Sequence, residues 1–132
     1  MKLDNYISQC YTLIYRNTIY RSKIEEACIL DAHIKKVYVP MTETSFYILL
    51  CLRKPNHGYG IVQQVDEMTN GDIRLTPGTM YGSLSKMEKD GLIQFIRKEE
   101  KRKIYQITDL GDKVLRLELK RIERLYQNAR EA

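Results

Sequence analysis

Several residue types are scarce or missing, and each absence removes a class of function. Tryptophan is absent and phenylalanine occurs twice, so no pocket is walled by indole rings. The three cysteines, Cys10, Cys28 and Cys51, form no C-x-x-C pair. Neither a disulfide framework nor a zinc site is indicated. His33 and His57 are the only histidines. H-E-x-x-H and G-x-x-x-x-G-K motifs are missing, as is any pattern of a nucleophilic triad. Asp66, Glu67 and Glu88 are scattered carboxylates without a paired partner, as any helix surface supplies. We therefore expect no catalytic residue, no metal ligand and no cofactor. Long apolar runs are also lacking. The longest, Phe46–Leu52, has seven residues, against the ~20 that a membrane-spanning helix needs. Lys2, Asp4, Asn5 and Ser8 precede any apolar stretch, which is no secretory signal. The expected location is cytoplasmic, with no membrane partner.

What is present fits an ordinary globular chain. Its 132 residues argue for one domain, or one small domain with an appendage. Apolar residues make up 43% and charged residues 30%, near the soluble average. The net charge of +5 and pI of about 9.1 allow a nucleic-acid partner without demanding one.

Two regions differ in punctuation. Residues 1–40 contain Tyr6, Tyr11, Tyr15, Tyr20 and Tyr38, half of the ten tyrosines, and no glycine. Ile7, Cys10, Ile14, Ile24, Ala27, Cys28 and Ile34 recur at roughly helical spacing, which predicts one or two helices. A plain alternative makes Met41 an internal start. From there the signals are regular. Thr42-Glu43-Thr44 leads into the apolar run, a buried helix stopped at Lys54-Pro55. Gly58-Tyr59-Gly60 opens a second helix with Ile61, Val62, Val65 and Met68 inward, ended by Asn70-Gly71. A short extended piece, Ile73-Arg74-Leu75, follows and reads as a short strand. Thr76-Pro77 starts a third helix, with Thr as cap and Pro at the first position. Met80, Leu84 and Met87 form its core stripe and Gly91 closes it. Leu92–Ile96 and Lys103–Ile107 read as strands joined by the charged turn Arg97–Arg102. Thr108-Asp109 caps a last helix, Leu110 to about Ala129. The fold class is mainly α with a small β-hairpin: a winged helix-turn-helix followed by a C-terminal dimerisation helix.

Four segments resemble the PadR family of transcriptional regulators, of the short type. They are Thr42–Leu50, His57-Gly58-Tyr59-Gly60-Ile61, Thr76–Leu84 continuing to Met87–Ile93, and Arg102–Gly111. Together they span about 39–112 in the family's order; residues 1–38 match nothing in it. The resemblance implies a homodimeric repressor of double-stranded DNA, released in several members by a small-molecule effector. The expected domains are an N-terminal helical extension, 1–38, a winged DNA-binding domain, 39–109, and a dimerisation helix, 110–132.

The residues themselves support a DNA surface. The second helix of a helix-turn-helix lies in the major groove, here Pro77–Asp90. Opposite its core stripe lie Gly78, Gly82, Ser85, Lys86 and Lys89, flanked by Thr79, Tyr81 and Ser83. Small residues keep this face low, hydroxyls reach base edges or phosphates, and lysines neutralise phosphates. Without Arg, Asn or Gln here, DNA shape carries much of the specificity. The bland reading has Tyr81 half buried against the second helix, away from DNA, and leaves Ser85 and Lys89 merely solvated. The expected wing offers Arg97, Lys98, Lys101, Arg102 and Lys103 against Glu99 and Glu100; the bland reading is a charged hairpin. His57 reads as a helix cap, and Tyr59 as packing or a phosphate contact.

The last helix carries two stripes. Leu110, Val114 and Leu117 form one. Leu115, Leu119, Ile122, Tyr126 and Ala129 form the other, a coiled-coil seam expected to meet a second copy. Arg116, Glu118, Lys120, Arg121, Glu123 and Arg124 flank them. Two further readings stay open. One is a winged-helix protein-interaction module without specific DNA binding. The other is a ligand sensor using Phe46, Tyr47 and Tyr126, although aromatics at helical spacing are usually core.

Overall fold

The computed structural model describes residues 31–132. The chain divides between Val37 and Tyr38 into two units, each described by itself. Of the first, residues 31–37 are helical. The periodicity expected through Ile7, Cys10, Ile14, Ile24, Ala27 and Cys28 lies outside the described residues.

The second unit runs α1 (Glu43–Cys51), α2 (Gly58–Met68), α3 (Pro77–Lys89), β1 (Ile93–Glu99), β2 (Arg102–Ile107) and α4 (Asp109–Glu131). Every helix starts on a side-chain cap that satisfies an otherwise free amide. The Thr42 hydroxyl accepts from the Ser45 amide at 3.2 Å, Thr76 from Thr79 at 3.3 Å, and Thr108 from Gly111 at 3.1 Å. His57 caps α2 through Nδ1, which accepts from the Gly60 amide at 3.0 Å. The ends are equally specific. Beyond α2, the Asn70 and Gly71 amides bond the Glu67 and Asp66 carbonyls. Beyond α3, the Gly91 and Leu92 amides bond those of Glu88 and Met87. These paired bonds are Schellman closures, and Asn70, Gly71 and Gly91 have positive φ.

Three expectations about this region are corrected. Ile73-Arg74-Leu75 is not a strand. Its Ile73 amide bonds the Thr69 hydroxyl, and the place beside β2 goes to Asn56, which exchanges both backbone bonds with Tyr105. The wing turn is two residues rather than six, because the strands continue through the charges. Glu100 and Lys101 sit at φ 45° and 67°, the type I′ geometry that matches strand twist. Met68, expected to face inward, is exposed.

The core joins Ile48, Leu49 and Leu52 of α1 and its end, Ile61 and Val65 of α2, and Met80, Leu84 and Met87 of α3. Leu92, Ile93, Ile104, Val114 and Leu115 complete it. Helix α1 is buried on one side only, with Phe46, Tyr47 and Leu50 half-buried. The Cys51 thiol is buried, which pushes its pKa up to about 11. Helix α4 enters this core closely. A Cβ on Gly111 would stand 2.0 Å from the Leu92 carbonyl oxygen.

The stripes of α4 also need correction. Leu115 is fully buried inside its own subunit, so it is not on an open seam. Glu118 does not flank a seam either: it is 1% exposed. Its carboxylate takes two bonds from Arg121, at 2.9 Å and 2.6 Å, and one from the Met41 backbone amide. The Arg121 hydrogen bonds hold the Glu118 carboxyl below its ordinary pKa against the opposing effect of burial. Among the described residues, no helix is long and apolar enough to cross a membrane.

Candidate nucleic-acid interface

Helix α3 presents an unusually bare outer face. With Met80, Leu84 and Met87 inward, the opposite side carries Gly78 and Gly82, and nothing lies within 4 Å of where their side chains would be. No packing constraint requires glycine at either position. In a helix interior Gly costs roughly 0.5–1 kcal/mol relative to Ala, so the fold would be served better by alanine. Thr79, Ser85, Lys86 and Lys89 surround this strip and are exposed. Ser83 is half-buried, turned toward the core side of the helix.

Tyr81 is 59% exposed, so part of its ring stays accessible. Its ring edge stands beside Gly58 at the start of α2, between the two helices of the motif. Lys86 leans over the Tyr38 ring, with Nζ 4.9 Å from the centroid.

The wing adds a second charged surface. Lys98 and Lys103 are direct cross-strand partners and therefore project from the same face of the ribbon. Like charges placed opposite one another oppose folding, whereas an anion between them removes the repulsion. Arg97 pairs with Glu99. Lys101 occupies the turn. Arg102 swings back over the Tyr59 ring, 5.7 Å from its centroid, tying the wing to the start of α2. Beside that contact is an open groove of about 440 Å³, lined by His57, Glu99, Glu100, Arg102 and Ile104. A register shift between Phe95 and Arg97 marks a bulge in β1 at Ile96. It adds twist to the ribbon that carries these charges.

The structure thus brings Tyr59 together with Arg102, and Lys98 with Lys103. On α3 it groups Thr79, Ser85, Lys86 and Lys89. At the far end of α4, Ile122, Leu125 and Tyr126 are exposed, with Leu119 half-buried. Leu125 escaped the sequence reading. Glu118 interrupts the apolar row two steps before it, so the row with spacing 118, 122, 125 and 129 did not register as a stripe. Tyr38 escaped as well, because its contacts with Lys86 and Asp90 are made across the fold.

Fold and surface together define a winged helix-turn-helix protein with a long C-terminal helix. The model of the transcriptional regulator PadR-like family matches residues 48–117, more than half of the chain. The chain belongs to the PadR-like family of transcriptional regulators. A PadR family transcription regulator of Clostridium difficile R20291 superposes with a TM-score of 0.58 at 28% identity, over 66% of this chain and 94% of that one. A transcriptional regulator of Clostridium thermocellum has the same fold, with a TM-score of 0.57 at 22% identity, over 66% and 88%. An uncharacterized protein of Lysinibacillus sphaericus is 32% identical over 71 residues, 51% of this chain and 65% of its own length.

Proposed function

We propose that this chain is a homodimeric, cytoplasmic repressor that places α3 in the major groove of an operator and lays its wing along the flanking phosphates. In this reading, residues 39–109 read DNA, 110–132 pair with a second copy, and 1–38 are appended. The observation that carries it is the bare backbone of α3. Two glycines with no packing constraint, ringed by hydroxyls and lysines, leave room for another molecule's backbone to approach closely. Thr79, Tyr81, Ser85, Lys86 and Lys89 then work at the groove, with Ser83 at its margin. Tyr59, Lys98, Lys101, Arg102 and Lys103 contact phosphates. Two subunits related by a two-fold axis set their α3 helices about 34 Å apart, which calls for an imperfect palindrome. The groove beside Arg102, lined by charged side chains, does not suit a planar apolar effector.

The test is fluorescence anisotropy with the DNA upstream of the protein's own coding region, at two salt concentrations, against a scrambled duplex. The reading expects salt-dependent preference for the upstream DNA with two subunits per site. Salt-insensitive, equally weak binding to both duplexes would favour a protein-interaction module instead.

A further inference from the structure

Tyr38 lies ahead of the segment that the family model matches, yet it contacts α3 at two points. Its hydroxyl donates to Asp90 Oδ2 at 2.6 Å, at the C-cap of α3. Its ring lies under the Lys86 ammonium at 4.9 Å. Tyr38 is itself buried, 5% exposed. Burial and the neighbouring Asp90 carboxylate both raise its pKa, so the hydroxyl stays a protonated donor. Lys86 is exposed one helical turn before Asp90. The two contacts therefore fix the ring first, through Asp90, and then the lysine over the ring.

We infer that Tyr38 is a positioning residue for DNA binding: its ring, anchored on Asp90, holds Lys86 extended along α3 for a phosphate. This rests on the DNA-binding reading above. A free lysine loses rotamer freedom when it settles on a phosphate; a lysine already held over an aromatic face loses less. The cation–π contact leaves the ammonium's outward N–H groups free to bond the phosphate.

The test is a double-mutant cycle, with affinity for a mixed-sequence duplex measured by anisotropy across a salt series, and thermal melting of every variant. Lys86→Ala should weaken binding and lower the salt slope by about one. Tyr38→Leu should weaken binding about three-fold in the Lys86 background and less than about 1.5-fold in the Lys86→Ala background. Tyr38→Phe keeps the ring but loses its anchor on Asp90, and should bind between wild type and Tyr38→Leu; binding as weak as Tyr38→Leu in both Lys86 backgrounds would overturn a role for the ring. Equal losses in both backgrounds would mark a merely structural tyrosine and overturn the inference. Tighter binding by Tyr38→Leu would overturn it too, since the ring would then be holding Lys86 away from DNA. If Lys86→Ala changes nothing while the wild type binds with a steep salt slope, the inference falls and the DNA-binding reading stands. If the wild type shows no salt-dependent binding, the DNA-binding reading fails first.

Discussion

Helix α4 has one apolar spacing and two fates. In its first half, Gly111, Val114, Leu115 and Glu118 face inward and are buried. Continuing the same steps of three and four, Ile122, Leu125 and Tyr126 emerge into the open, Leu125 at 49% and Tyr126 at 58% exposed. The row does not change; the domain beneath it ends. At 23 residues the helix is roughly 35 Å long, and its buried residues all lie in its first half. The open surface is thus the overhang of the core-facing stripe and not a second face of the helix. The glycines of α3 and α4 repeat the contrast, since Gly111 is pressed against a backbone carbonyl while Gly82 faces open space.

The largest effect should come from the covered side. Gly111→Ala forces a Cβ against the Leu92 carbonyl, and both groups belong to backbone that cannot yield. We expect about 3 kcal/mol of destabilisation, read by urea unfolding; a variant as stable as wild type would mean that α4 can slide.

On the uncovered side, Leu125→Glu should leave the chain folded and, if the proposed dimer forms through this surface, yield monomer in sedimentation velocity. The new charge would otherwise be buried unpaired in the seam. Retained dimer would place the partner elsewhere. Leu119 is a poorer probe, because it is half-buried in its own subunit.

Glu118 tests where the two halves meet. Its pKa is lowered mainly by the Arg121 hydrogen bonds. A lowered folded-state value means that its stabilisation is fully present above the ordinary glutamate pKa. That stabilisation is lost as pH falls through the folded-state value. Glu118→Gln should therefore cost about 1–2 kcal/mol near neutral pH and flatten the acid side of the stability profile. An unchanged acid limb would show that other carboxylates control it.

The smallest change has the opposite sign. Gly82→Ala, the same substitution as at Gly111, should raise stability by roughly 0.5–1 kcal/mol while weakening DNA binding. Improved stability with unaltered binding would remove this strip from the interface.

Much of the fold was legible because its signals are local. Thr76-Pro77, Thr108 and the Asn70-Gly71 and Gly91 stops act within one helical turn, and each occurs where expected. The existence of the two strands was equally readable, although their burial does not alternate. The turn between them was not, because a I′ turn at Glu100-Lys101 lacks the glycine or asparagine that normally announces it. The supposed third strand failed for a related reason. Ile73-Arg74-Leu75 has strand-like residues, yet Asn56 occupies the position beside Tyr105.

For the candidate site, the helical angles of Met80, Leu84 and Met87 placed the lysines and glycines of α3 on its outer face. They could not say that Tyr81 lies beside Gly58, that Lys98 faces Lys103, or that Lys86 rests on Tyr38. Local residue patterns were enough to specify the elements, their caps, the core stripe of α3 and the membership of the chain in its family. All of these depend on neighbours a few residues apart, where backbone geometry leaves little choice. Only the tertiary structure decided that Leu115 and Glu118 are interior, that the stripe of α4 is uncovered beyond them, and which aromatic holds which cation. Those outcomes depend on where one element stops covering another, a distance in space that no spacing along the chain encodes.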